Sequence, residues 1–152
     1  MELTIRLKRQ DEPPPYSLLL SADSSQLLVD RYLSKGDCYL AWLGEELAGE
    51  FVLLRTGPDT CEIMNLAVKE SFQGQGIAKE MMAFACEKAR EQGCSSLEIG
   101  TGNSSLNQLA LYQKCGFRIE GVERDFFIKH YEEAIYENGI QCRDLLRLRL
   151  EL

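Results

Sequence analysis

The stretch from Asn65 to Thr101, NLAVKESFQGQGIAKEMMAFACEKAREQGCSSLEIGT, constrains the fold more than any other part of the chain. The run Ile63 to Val68 reads as a buried strand. After it, Ala78, Met81, Met82, Ala85 and Ala89 recur at helical spacing up to Gly93, a natural C-cap. Leu97 and Ile99 open a second strand. A helix of this length between two strands is a crossover, so the strands lie parallel in one sheet. The loop before the helix, Gln73-Gly74-Gln75-Gly76-Ile77-Ala78, carries no side chain at two of its turning points. The first N–H groups of the helix have no partners within it, and the helix dipole makes that end partly positive. Such an end holds a phosphate or pyrophosphate, although a glycine loop of this kind also serves as a plain strand-to-helix turn.

The rest of the chain supplies more strands than helices. Leu3, Ile5 and Leu7 alternate with Thr4, Arg6 and Lys8, the pattern of a half-buried strand, and Pro13-Pro14-Pro15 stops it. Two short helices follow between Tyr16 and Leu33, with a break at Ser21 to Ser25. Cys38 to Leu43, Leu47 to Arg55 and Cys61 to Val68 form an antiparallel meander. Asn103, Ser104 or Ser105 caps a helix from Leu106 to about Cys115. Phe117 to Glu123 is a strand, and alternating Leu146, Leu148 and Leu150 make the last one.

The glycine loop resembles the (Arg/Gln)-x-x-Gly-x-(Gly/Ala) signature of the GNAT superfamily of acyl-CoA-dependent N-acyltransferases, matched by Gln73, Gly76 and Ala78. The strand Ile63 to Val68 before it and Leu111-Tyr112-Gln113-Lys114-Cys115-Gly116-Phe117 after it stand at the distances this family uses. The resemblance implies one domain over residues 1–152. It also implies an α/β (α+β) fold, a mixed and mostly antiparallel sheet of about seven strands flanked by about four helices. The implied activity is transfer of an acetyl group from acetyl-CoA to a primary amine, in a ternary complex. A non-catalytic acyl-CoA-binding module is the alternative.

The same resemblance assigns site residues. The backbone N–H groups of Gln73, Gly74, Gln75, Gly76, Ile77 and Ala78 would cradle the pyrophosphate of coenzyme A. The main chain of Leu66, Ala67 and Val68 would pair with the pantetheine arm as an added strand does; a strand buried on both faces has the same composition. Tyr112 corresponds to the tyrosine that protonates the departing thiolate. Glu62 occupies the place of a family glutamate that acts as general base, or is a strand-end carboxylate facing water. Strict alternation puts Glu62 on the side of Met64 and Leu66, and a β-bulge would reverse that parity. Counting back from Tyr112 puts Ser105 where members often carry Asn, so Asn103 or Asn107 would supply the amide. Lys79 and Lys114 are candidates for the phosphates.

Composition narrows the partners. A formal charge of −7 and a pI near 4.8 argue against nucleic acid or an anionic membrane. A small-molecule amine or a protein amine fits better. The six cysteines form no C-x-x-C pair and have one histidine, His130, beside them, so no metal site is expected and the cysteines read as small buried hydrophobes. No apolar run resembles a leader or a membrane span, which implies a cytoplasmic protein. A homodimer is the default assembly. Residues 124 to 141, with five aromatics or histidine among carboxylates, form either the acceptor pocket or a packed excursion with a short helix.

Overall fold

The computed structural model describes residues 2–152. Its first half is a meander: β1 (Leu3–Leu7), α1 (Tyr16–Ala22), α2 (Gln26–Leu33), β2 (Asp37–Leu43), β3 (Glu46–Arg55) and β4 (Thr60–Val68). The second half is α3 (Ile77–Glu91), β5 (Ser96–Gly102), α4 (Leu106–Lys114), β6 (Arg118–Glu123), α5 (Phe126–His130), β7 (Ile135–Glu137), β8 (Ile140–Cys142) and β9 (Leu145–Glu151). Seven strands form one sheet in the order β1-β2-β3-β4-β5-β9-β6, and β7 and β8 form a separate hairpin. Only β4 and β5 run parallel, as the crossover through α3 requires. The described residues hold five α-helices, in line with the expected count of about four; the fifth, α5, lies with the β7–β8 hairpin in the segment 124–141, whose pieces of three to five residues are too short for periodicity to show.

Both faces of the sheet are covered. On one, Ile77, Met81, Met82, Ala85 and Ala89 of α3 and Tyr112 of α4 pack against Phe51, Leu53, Ile63, Leu97 and Leu148. On the other, Leu19 of α1 with Val29 and Tyr32 of α2 pack against Cys38, Leu40 and Val52. The packing is close enough that a Cβ at Gly49 would stand 2.8 Å from Met81 Sδ, which keeps α3 tight on the sheet. Met81 is fully buried, and its truncation to Ala would cost about 2–5 kcal/mol. Ser25 caps α2 by accepting from Leu28 N at 3.3 Å.

A bulge in β4 positions the site. Val52 lies opposite Asn65 and Leu53 opposite Ile63, so Met64 is an extra residue and β4 bulges there. Glu62 and Met64 therefore share the α1–α2 side with Asn65, while Leu66 packs with the α3 cluster, the reversed parity that strict alternation excludes.

The cysteines depart from expectation at one pair. Cys61 and Cys94 form a disulfide, whereas Cys38, Cys86 and Cys142 are buried free thiols and Cys115 is half-buried. The pairing joins positions 33 apart, which the start of the β4–β5 ladder brings together and which spacing along the chain does not reveal. Among the described residues no helix is long and apolar enough to cross a membrane, and no cluster of three metal-ligating side chains occurs.

Candidate active site

The parallel pairing of β4 with β5 covers only Thr60–Ile63 against Ser96–Ile99. Beyond Ile63 the two strands part: β4 continues to Val68 with no partner on that edge, and β5 continues to Gly102 paired with β9 alone. The main chain of Leu66, Ala67 and Val68 is thereby an open edge next to the parting. Val68 C=O is the one carbonyl of the three with a side-chain donor, Gln73 Nε2 at 3.1 Å. An open edge of this kind accepts an extended ligand as an extra strand.

A cavity of about 570 Å³ lies where the strands part. Met64, Asn65 and Leu66 line it from β4, and Gly100, Thr101 and Gly102 from β5. Three carboxylates and one guanidinium, Arg147, face it. Asp23 accepts from Tyr131 Oη at 2.6 Å, from Tyr32 Oη at 3.1 Å and from Ser25 N at 3.1 Å. Glu137 accepts from Ser105 Oγ at 2.7 Å and Ser104 Oγ at 3.3 Å. Glu62 alone of the three has no protein donor among the described residues. Burial pushes its carboxyl above the usual range; Arg147 pulls it down and Glu98 pushes it up again. It is the carboxylate left free to take a proton.

Tyr112 lines the same cavity from α4. The residue is 5% exposed, and burial, with smaller contributions from Cys115 and Glu50, pushes its phenol upward, so it is protonated at neutral pH. No side-chain hydrogen bond engages its hydroxyl among the described residues.

On the other side of the parting the glycine loop enters α3. Gly74 and Gly76 have φ of +79° and +82°, and a Cβ at either would meet nothing within 4 Å. The glycines are there for the left-handed backbone and the space it leaves above it. Glu80 N donates to Gly76 O at 3.1 Å, and the preceding amides of Ile77, Ala78 and Lys79 have no backbone acceptor. Ile77 is 4% exposed, so its side chain anchors the start of the helix in the core. Free amides, a helix dipole and an adjoining open strand edge together fit a pyrophosphate followed by an extended arm.

Comparison with known proteins decides the family. Residues 4–117 match the model of the Acetyltransferase (GNAT) family. This chain belongs to the GNAT acetyltransferases. An uncharacterized N-acetyltransferase of Bacillus subtilis strain 168, YvbK, is 56% identical over 99% of the chain and 97% of its own length. A GNAT family acetyltransferase from Elizabethkingia anophelis, solved with acetyl-CoA bound, superposes with a TM-score of 0.97 at 46% identity, covering 99% of this chain and 98% of that one. An IAA acetyltransferase from Bacillus cereus ATCC 14579 gives 0.95 at 51% identity, covering 99% and 100%. The chain is an acetyl-CoA-dependent N-acetyltransferase, and acetyl-CoA is its co-substrate.

Within this GNAT frame the residues singled out by sequence fall into two groups. Glu62 and Tyr112 meet at one cavity, and the loop from Gln73 to Ala78 lies beside the open edge of β4. Lys79 and Lys114 are exposed with no ion-pair partner among the described residues, and Lys79 acts on Cys115 at the end of α4, which places it beside that helix. Asn103 is committed elsewhere: Nδ2 donates to Gln141 O at 3.0 Å, and Oδ1 accepts from Arg143 N at 2.7 Å and Asp144 N at 3.0 Å. It ties β8 to the Arg143–Asp144 link ahead of β9, whereas Asn107 is exposed on α4. Ser105 is the N-cap residue of α4, but its hydroxyl serves Glu137 instead of the helix. His130 is exposed, its ring lies tilted against Phe126 with centroids 4.5 Å apart, and it stands outside the cavity.

Sequence reasoning missed Asp23, Tyr32, Asn65 and Arg147. Asn65 carried a signal, a lone amide in an apolar strand that becomes 5% exposed and needs buried partners. The other three carried none, since their roles come from contacts between distant segments.

Proposed function

We propose that this acetyltransferase moves the acetyl group directly from acetyl-CoA to a primary amine held in the cavity, with both substrates bound together. The observation that carries the reading is that an unpartnered carboxylate, Glu62, and an unpartnered phenol, Tyr112, line one cavity. Acetyl-CoA supplies an acyl group activated as a thioester. The amides of residues 73 to 78 hold its pyrophosphate, and the edge of Leu66, Ala67 and Val68 orients its arm. Glu62 accepts the proton of the acceptor ammonium, directly or through one water, and its raised proton affinity suits that task. Tyr112 donates its phenolic proton to the departing sulfur. Phe126, Phe127 and Tyr131 line the same cavity and receive the apolar body of the amine.

No cysteine is given a covalent role. Cys142 is the cysteine of the cavity wall, and burial pushes its thiol up, which keeps it a poor nucleophile at neutral pH. The test is initial-rate kinetics of thiol release across a panel of polyamines, aralkyl amines and amino acids. Intersecting double-reciprocal lines with the best acceptor support direct transfer. Parallel lines, with an acetylated enzyme detected by mass, would overturn it.

A further inference from the structure

Among the described residues, four buried side-chain polar atoms have no hydrogen-bond partner: Trp42 Nε1, both carboxyl oxygens of Glu50, and Asn65 Oδ1. They belong to three consecutive strands, β2, β3 and β4, and to one face of the sheet. Trp42 packs against the α1–α2 cluster, and so does Val52. Glu50 stands two residues before Val52, past the irregularity of β3 near Ala48, and so points the same way. Asn65 lies opposite Val52 and reaches Leu19 and Tyr32 on that same side. Glu50 is opposite Ala67 on β4 and opposite Leu40 on β2. It is therefore a diagonal neighbour of Asn65 on one side and of Trp42 on the other, a separation of roughly 7–8 Å that long side chains bridge.

The chemistry of the three groups is complementary in one protonation state only. An indole N–H can only donate, and an amide oxygen can only accept. The orientation of the Asn65 amide is set independently, because Nδ2 donates to Leu19 O and to Tyr32 Oη, both at 2.9 Å. An ionised Glu50 would answer Trp42 and leave Asn65 Oδ1 facing a second acceptor. A neutral carboxyl has one C=O and one O–H, and answers both.

We propose that Glu50 is held as a neutral carboxylic acid that accepts from Trp42 Nε1 through one buried water and donates to Asn65 Oδ1, directly or through water. It is then the inner end of a chain that runs from Asn65 to Tyr32 to Asp23, where Tyr131 joins, and that builds the acceptor wall of the cavity. Glu50 is a positioning residue for the acceptor.

The surroundings agree. Glu50 is 0% exposed, and burial pushes its carboxyl up to about 8, the nearby Ala67 amide opposing only in part. The titratable groups that feel it are Tyr32 on α2, Cys38 on β2 and Tyr112 on α4, none of them cationic. Ionisation of Glu50 would break its bond to Asn65 and loosen the wall.

Trp42 is the one tryptophan of the chain, so its emission reports on Glu50 without any substrate. In the wild type the emission should change with a midpoint at about pH 8. Glu50→Gln offers the same partners a C=O and an N–H, and its emission should stay flat over that range. Infrared spectra at neutral pH should show a protonated carboxyl C=O band that Glu50→Gln lacks. A flat wild-type titration, the same transition in Glu50→Gln, or no such band would each overturn the proposal. The kinetic arm rests on the function proposed above and uses the amine that turns over fastest in the panel. Glu50→Leu should raise the KM of that amine several-fold with the acetyl-CoA KM retained, and Glu50→Gln should restore it. Equal impairment of both variants would overturn the positioning role, while the fluorescence and infrared results stand or fall separately from the catalytic reading.

Discussion

Asn65 Nδ2 donates to the Tyr32 hydroxyl at 2.9 Å, and this bond ties the bulged strand β4 to helix α2 at the cavity wall. Tyr32 in turn donates a hydrogen bond to Asp23, which Tyr131 also reaches from a position 108 residues away. The wall is thus made by groups from four separate stretches of chain. Tyr32→Phe removes the link to Asp23 and leaves one Asn65 N–H unpaired, a loss of about 1–3 kcal/mol. Denaturant unfolding should show that loss, and the acceptor KM should rise several-fold while acetyl-CoA affinity holds.

The glycine loop makes a contrasting prediction. Gly76 has φ of +82° with open space around it, so Gly76→Ala meets no clash and strains only the backbone, by roughly 1 kcal/mol. Gly76→Glu adds a carboxylate where the pyrophosphate is to lie. Calorimetry should find acetyl-CoA binding weakened by about tenfold or more in Gly76→Glu, beyond the effect of Gly76→Ala, in a protein that remains folded.

Glu50 links stability to pH. Its carboxyl lies at about 8 in the fold against an ordinary 4.5. A raised carboxyl contributes stability that is complete below the unfolded value and is lost as pH climbs to the folded one, on the order of several kcal/mol. The wild type should therefore lose melting temperature between about pH 5 and about pH 8, and Glu50→Gln should lose much less over the same window. Thermal melts of the two proteins across that range test it.

Tyr112→Phe keeps the ring that packs on Phe117, whose centroid lies 6.3 Å away, and removes only the proton donor. Turnover should fall by about 10²-fold with little change in the acetyl-CoA KM. An equal fall in turnover and rise in that KM would mark the hydroxyl as a binding group instead.

The sheet and the glycine turn were legible because each rests on a local pattern. Alternation placed β1 and β9, the spacing of Met81, Met82 and Ala85 placed α3, and the glycines marked the left-handed turn into α3. The acceptor side was not legible. The β7–β8 hairpin is two strands of three residues, and the contacts of Asp23, Asn65 and the Cys61–Cys94 pair join segments with no shared periodicity. The side on which Glu62 falls hung on one inserted residue, Met64, whose bulge alternation cannot show. Asn103 lies beside the expected position and spends its amide on Gln141 of β8 and on Arg143 and Asp144 ahead of β9, contacts that chain spacing does not reveal.

The central claim, that Glu62 is the base of an amine acetylation in this cavity, is tested most directly by the pH dependence of acceptor kcat/KM in wild type and Glu62→Gln. Burial holds the Glu62 carboxyl above its usual range, with Arg147 opposing, and a base acts when ionised. The wild-type rate should rise with pH through that raised value and then level. Glu62→Gln should be slower by about 10²-fold and lack that rise. A Glu62→Gln enzyme that keeps both the wild-type rate and the same acidic limb would contradict the account.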